Sequence, residues 1–174
     1  LERNSVGTDV DVSCFEKFGE VTCYPNTVAA NTSERVKDAD IILANKAPLN
    51  ESTLKDAPNV KLICLLATGF DNVDLAYCKS RSIKVTNVVN YCTSTVAQHT
   101  LLLALALSEK IAFYDDYVKS GAYSAQDRFS NFDRTFYDLE GKTWGIIGMG
   151  TIGRRVAGLA QAFGCRVIFY SASG

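Results

Sequence analysis

A chain of 174 residues, 47% hydrophobic and with a formal charge of −1, has the composition of a globular protein with one or two cores. The near-neutral balance supplies no basic patch, which argues against a nucleic-acid partner. The longest apolar run, Leu101–Leu107, is seven residues against the roughly 20 of a membrane span, so it reads as a buried helix segment with no membrane partner.

The first residues, Leu1-Glu2-Arg3-Asn4, lack both an initiator Met and the apolar core of a signal peptide, and further residues are expected to precede them. Strand-like runs then alternate with helical stretches. Glu20–Tyr24, Asp40–Ala44, Val60–Leu66 and Ile83–Asn87 are short, apolar and rich in Val and Ile. Amphipathic stretches lie between and before them, near Asp9–Phe18, Ser33–Ala39, Ser52–Ala57 and Val73–Ser80. This rhythm predicts an α/β fold, with a parallel sheet carrying helices on both faces. Strands apolar on both sides suit a sheet buried on both sides. The six cysteines, Cys14, Cys23, Cys64, Cys78, Cys92 and Cys165, are scattered without a C-x-x-C pair and read as free thiols of a cytoplasmic protein. Zinc spacing is missing too, since His99 is the one histidine.

A boundary is expected at Asn90–Thr95, a polar stretch opening a long helix that runs to about Ala112. Thr95 and Gln98 have capping-box spacing at its start. The stretch Phe113–Glu140 is aromatic, charged and weakly periodic, with Tyr114, Tyr117, Tyr123, Phe129, Phe132, Phe136 and Tyr137. It predicts an arm that packs on something: an intramolecular flap and a dimer contact both fit.

The sequence Gly148-Met149-Gly150-Thr151-Ile152-Gly153 fits G-x-G-x-x-G. Its context gives the pattern meaning. It follows the apolar strand Thr143–Ile147 and opens a helix, Ile152 to about Phe163, which leads into a second strand, Cys165–Tyr170. In that setting Gly148 permits the tight turn, Gly150 lets the backbone approach a pyrophosphate, and Gly153 allows helix to pack closely on strand. Thr151 and Ile152 offer amides at the positive end of the helix dipole. An Asp or Glu is expected at the end of the second strand, to hold the adenine ribose. Ser171 stands there instead, so both NAD and NADP remain open as cofactors.

Three blocks in order, "LLATGFDNVDLAYCKSRSIKVTNV", "NYCTSTVAQHTLLLALAL" and "LEGKTWGIIGMGTIGRRVAGLAQAFGCRVIFY", are similar to the substrate-domain core, interdomain helix and nucleotide signature of the D-isomer-specific 2-hydroxyacid dehydrogenases. Asn45–Leu49 with Gln98-His99-Thr100 looks most like the glycerate dehydrogenase and hydroxypyruvate reductase branch. The resemblance implies two α/β domains: a flavodoxin-like substrate domain, whose N-terminal segment is residues 1–92, and a Rossmann domain begun by residues 93–174, with 113–140 as a dimerisation arm. It implies hydride transfer between a nicotinamide cofactor and a small 2-hydroxy or 2-oxo acid, hydroxypyruvate or glyoxylate ahead of D-lactate, in a homodimer. The family's catalytic Arg, Glu and His would lie beyond residue 174, so the chain reads as cut short, since an end there would leave a sheet edge uncovered. His99 matches a non-catalytic position and is expected to pack or to lie in an interface.

Within the chain, the resemblance places Thr68 and Gly69 at a turn whose amides bind the substrate carboxylate, with Thr68 beside the nicotinamide. A plain strand-to-helix turn capped by Asp71 or Asn72 is the alternative. Tyr91 occupies a hinge position beside the substrate in some relatives. Lys46 sits at a mouth where a cation attracts an acid, or is a solvated surface lysine. A corepressor-like nucleotide-sensing protein of the same fold is the second functional reading, and formate or phosphite oxidation a third.

Overall fold

The structure, a computed structural model describing residues 1–171, separates into two compact units, Leu1–Val89 and the residues from Asn90 onward. Asn90 has φ 61°, a left-handed conformation that asparagine tolerates better than most side chains.

In the first unit, β1 (Ile41–Ala44), β2 (Leu62–Leu65) and β3 (Lys84–Thr86) form a parallel sheet in that order, with Ile42 beside Ile63 and Ile63 beside Val85. Parallel neighbours need crossovers, and α2 (Glu51–Leu54) and α3 (Leu75–Ser80) lie in the two connections, while α1 (Ala29–Val36) precedes β1. Side chains alternate across a strand, so Ile42, Ala44, Ile63 and Leu65 share one face. They are buried in one cluster with Val36 of α1, Leu54 of α2 and Cys78 of α3. The opposite face, Ile41, Leu43, Leu62 and Cys64, is half-buried or exposed. Among the described residues all three helices send their buried side chains to the same side, so the expected cover of the opposite face does not come from α1, α2 or α3.

Glu20–Tyr24 forms no strand. The neighbouring chain, Arg3–Ser5, is a 3₁₀ turn and offers isolated bonds, Arg3 N to Tyr24 O at 2.7 Å and Asn4 N to Pro25 O at 2.9 Å, where a strand would need a continuous ladder. The helix expected near Asp9–Phe18 is reduced to a 3₁₀ segment, Ser13–Phe18, with no buried residue to hold a longer one.

The second unit pairs β4 (Thr143–Ile147) in parallel with β5 (Arg166–Tyr170), joined by α7 (Thr151–Ala162). Helix α7 packs on both strands and on α4 (Thr93–Ser108), burying Val156 and Ala160. Helix α4 begins with Cys92 as its cap residue and the backbone bond Val96 N to Cys92 O at 2.8 Å. Thr95 is inside the first turn and makes no cap. The helix also stops short of Ala112. Lys110 adopts φ 56°, and α5 (Ile111–Lys119) leaves at 62° to α4. Its apolar run is not buried: Leu102, Leu103 and Leu107 are exposed, and Ala97 is the one fully buried residue of the helix. The run Leu101–Leu107 puts apolar side chains on every side of α4, while packing onto α7 covers only part of its circumference. No single helix among the described residues is long and apolar enough to cross a membrane, though α4 and α5 pass together on length and composition across their bend.

Much of the aromatic stretch folds on itself. Phe113 packs edge-on to Tyr114 and stacks on Tyr117. The hydroxyl of Tyr114 donates to Arg134 O at 2.7 Å, that of Tyr117 to Gln126 Oε1 at 2.6 Å, and α6 (Ala122–Ala125) lies between. Phe129 and Phe132 remain exposed.

Candidate functional site

Two backbone turns of the first unit hold Lys46, Thr68 and Gly69. β1 ends at Ala44, and the amides of Asn45, Lys46 and Ala47 converge on Glu2. Its Oε2 accepts from all three at 2.9, 2.9 and 3.0 Å, and Oε1 accepts from Lys46 N at 3.0 Å. Partial burial pushes the Glu2 carboxyl up, but the amide bonds from Asn45, Ala47 and Lys46 together outweigh it and hold the group below the ordinary glutamate value. Lys46 itself is exposed, with no ion-pair partner among the described residues.

The second turn follows β2. Ala67 is buried, while Thr68, Gly69 and Phe70 are exposed. Among the described residues the amides of Thr68, Gly69 and Phe70 have no protein acceptor, so this exposed turn holds N–H groups able to receive an anion. The turn is held from behind. Thr68 Oγ1 donates to Val88 O at 2.9 Å, Val88 N donates to Ala67 O at 3.1 Å, and Asn87 Nδ2 donates to Thr68 O at 2.7 Å. Neither Asp71 nor Asn72 caps the next helix. Asp74 does, accepting from Tyr77 N at 2.9 Å. Asn72 instead joins the two turns: its Nδ2 donates to Ala47 O at 2.8 Å and its carbonyl accepts from Leu49 N at 2.9 Å. Asn72 Oδ1 is buried without a partner among the described residues. Hydrogen bonds thus tie the turn that carries Lys46 to Asn72, which follows the Thr68–Phe70 turn in the chain.

Tyr91 and the glycine turn belong to the second unit. Tyr91 is exposed, as is His99, whose side chain makes no hydrogen bond among the described residues. In the glycine turn each position differs. Gly148 has φ 94° and its amide donates to Tyr170 O at 2.8 Å, fixing the turn on β5. Gly150 precedes α7 at φ −73°, and a Cβ there would meet nothing within 4 Å, which leaves a cradle open above the helix end. A Cβ on Gly153 would collide with the carbonyl oxygen of Gly148. Thr151, Ile152 and Gly153 form the first turn of α7, where amides have no acceptor one turn back. Arg154 Nη1 ties the turn down from outside, donating to Met149 O at 2.8 Å. Ser171 follows β5 directly. Ala172, Ser173 and Gly174 lie outside the described residues.

Sequence reasoning missed Glu2, Asn87 and Arg154, and gave Asn72 a different role. Arg154 had a signal, four residues after Gly150 at a helix start. Glu2 had none, since its bonds span 43 to 45 residues. No group of three or more His, Cys, Asp or Glu suited to a metal occurs among the described residues.

These features coincide with a family match. Residues 4–172 fit the model of the D-isomer specific 2-hydroxyacid dehydrogenase catalytic domain. A glycerate dehydrogenase of Methylorubrum extorquens is 40% identical over 98% of this chain and 54% of its own length. A hydroxypyruvate reductase of Blautia hydrogenotrophica is 32% identical over 94% of this chain and 52% of its own. Among solved structures, a D-lactate dehydrogenase of Aquifex aeolicus, complexed with NAD and lactic acid, superposes with a TM-score of 0.80 at 32% identity, covering 97% of this chain and 50% of that one. The chain spans about half the length of these relatives. With its parallel α/β units and its family match over nearly every residue, the chain belongs to the D-isomer-specific 2-hydroxyacid dehydrogenase family.

Proposed function

We propose that the full-length protein transfers a hydride between NAD or NADP and a small D-2-hydroxy acid or its 2-oxo acid, with hydroxypyruvate or glyoxylate ahead of pyruvate. The observation that carries the cofactor part is the turn Gly148–Gly153, where open space above Gly150 meets the first-turn amides of α7. A pyrophosphate fits that cradle, held by the amides of Thr151 and Ile152. The nicotinamide ring, when bound, supplies or accepts the hydride. The residues of this chain bind and orient. The unpaired amides at Thr68–Phe70 receive the substrate carboxylate, Lys46 raises the local concentration of an acid, and Tyr91 borders the substrate. Thr68 keeps its hydroxyl proton on Val88 O, so it offers lone pairs to a neighbour rather than a donor.

Relatives described as glycerate dehydrogenase, hydroxypyruvate reductase and glyoxylate reductase support the substrate order. The same reading makes the protein a cytoplasmic homodimer, with 113–140 as the arm between copies. It also puts the proton-donating His, with its Glu and the substrate-clamping Arg, beyond residue 174.

Steady-state kinetics of the full-length protein test this reading. Hydroxypyruvate and glyoxylate should be reduced with both NADH and NADPH. Ser171 keeps hydrogen-bonding capacity but lacks the charge that repels a 2′-phosphate, so the two kcat/KM values should differ by less than about 100-fold, or roughly 2.7 kcal/mol. A larger preference for NADH would show that another group does the work of the missing acid. No turnover of any 2-oxo acid would overturn the proposal and favour a nucleotide-sensing binding protein.

A further inference from the structure

We propose that Glu2 is a positioning residue for substrate binding: its carboxylate fixes the Asn45–Ala47 turn and, through Asn72, the Thr68–Phe70 amides that receive the substrate carboxylate. This rests on the function proposed above for the Thr68 turn.

Three observations converge on it. The first is the filling of the nest. Three consecutive amides pointing at one spot form an anion site, and Glu2 occupies this one with four bonds of 2.9 to 3.0 Å. The turn 45–47 is thereby closed to an acid substrate, while the amides at 68–70 stay open. Of the two turns, the one at 45–47 is thus filled from within the chain, and the one at 68–70 keeps amides without a protein acceptor among the described residues.

The second is strain. Glu2 adopts φ 65° and ψ 47°, a left-handed conformation that a non-glycine residue holds only when its surroundings fix it. Those surroundings are present. Leu1 N donates to Leu43 O at 2.8 Å, and the Glu2 carbonyl accepts from Ser5 N at 2.9 Å and Ser5 Oγ at 2.7 Å. The chain is bent at this residue so that its carboxylate meets the end of β1.

The third is connection. Ala47, the last amide of the nest, accepts from Asn72 Nδ2 through its own carbonyl, and Leu49 both donates to Asn72 O and accepts from Asp74 N at 2.9 Å. Leu49 and Val73 form a parallel bridge. A shift of the 45–47 turn is carried to Asn72, two residues after Phe70. Glu2 touches no substrate in this account and acts through the two turns.

The test uses Glu2→Gln and Glu2→Ala in the full-length protein, with the fold checked by circular dichroism. Two readouts are taken. In ¹H–¹⁵N spectra, Glu2→Gln should move the amide resonances of Gly69 and Phe70 as well as those of 45–47. In kinetics, KM for hydroxypyruvate should rise about tenfold or more while the dissociation constant of the cofactor stays unchanged. Glu2→Asp should recover part of the loss. Spectral changes confined to 45–47, or an unchanged KM in both variants, would overturn the proposal. If the wild-type protein turns over no 2-oxo acid, the functional reading falls alone and the spectra still decide the coupling. If Glu2→Ala fails to fold, Glu2→Gln carries both readouts.

Discussion

Single atoms decide what each glycine of the Gly148–Gly153 turn does. Gly150 and Gly153 are three residues apart and chemically identical, yet a Cβ meets open space at one and the Gly148 carbonyl oxygen at the other. Gly150→Val should therefore leave the full-length protein folded and abolish cofactor binding in calorimetric titration, because the new side chain fills the space a pyrophosphate needs. Gly153→Ala should act on stability instead. The helix must move away from β4, at a cost of about 1–3 kcal/mol seen as a lower urea midpoint. Wild-type affinity in Gly150→Val would remove that position from the phosphate site. Unchanged stability in Gly153→Ala would show that the turn relaxes without cost. The glycine pattern was legible in the sequence because Gly148 and Gly153 answer local backbone demands, at the turn and at the helix contact, while Gly150 keeps open space between them. Glu2 was not, because its role exists only once β1 has brought Asn45–Ala47 beside the start of the chain.

At the scale of elements, strands were read more reliably than helix ends. β1 to β5 announce themselves through short Ile-, Val- and Leu-rich runs, and all five form. Glu20–Tyr24 forms no strand, since a strand is defined by its partner and, among the described residues, the neighbouring Arg3–Ser5 offers isolated bonds and no ladder. The break between α4 and α5 carries neither Gly nor Pro, so Lys110 gave no warning of its left-handed turn. Long-range ties between elements are equally hidden, and Arg81 shows one. It ends α3, and its guanidinium donates to Leu54 O, Ala57 O and the Tyr77 hydroxyl, each at 3.0 Å. Two of these acceptors are backbone carbonyls at and just beyond the end of α2, so one planar fork joins two helices. Arg81→Ala should lower unfolding free energy by about 1.5–3 kcal/mol, the range for hydrogen bonds to a charged group. Arg81→Lys should recover little, because an ammonium cannot reproduce the fork geometry. Urea denaturation of the three proteins checks both values. Full recovery in the lysine variant would mean that charge, and not geometry, holds the helices.

For the whole molecule, the two units differ in how much apolar surface they bury. The first carries a continuous core in which Leu49, Leu54, Ile63 and Leu65 are almost wholly inaccessible. In the second, the buried hydrophobic residues among those described are Ala97, Val156, Ala160 and Cys165, all modest in volume. Meanwhile Ile147 is 91% exposed, Phe169 62% and Tyr170 66%, along the strands that carry the glycine turn. Burying one such side chain contributes about 1.5–3 kcal/mol, so within residues 1–171 the second unit gains less from burial than the first. Local opening follows this difference, since amides exchange through the least costly unfolding event available to their segment. A polypeptide of residues 1–174 should therefore show protected amides at Ile42, Ile63 and Leu65. Those of β4 and β5 should exchange at least about tenfold faster, a difference of roughly 1.4 kcal/mol in opening free energy. The same polypeptide should bind an apolar dye such as anilinonaphthalene sulfonate through its open strand face. Hydrogen exchange followed by mass spectrometry gives the comparison segment by segment. Equal protection in the two units would show that β4 and β5 are stabilised by something other than the packing seen here, and the glycine turn would then stand on a rigid base even without further partners.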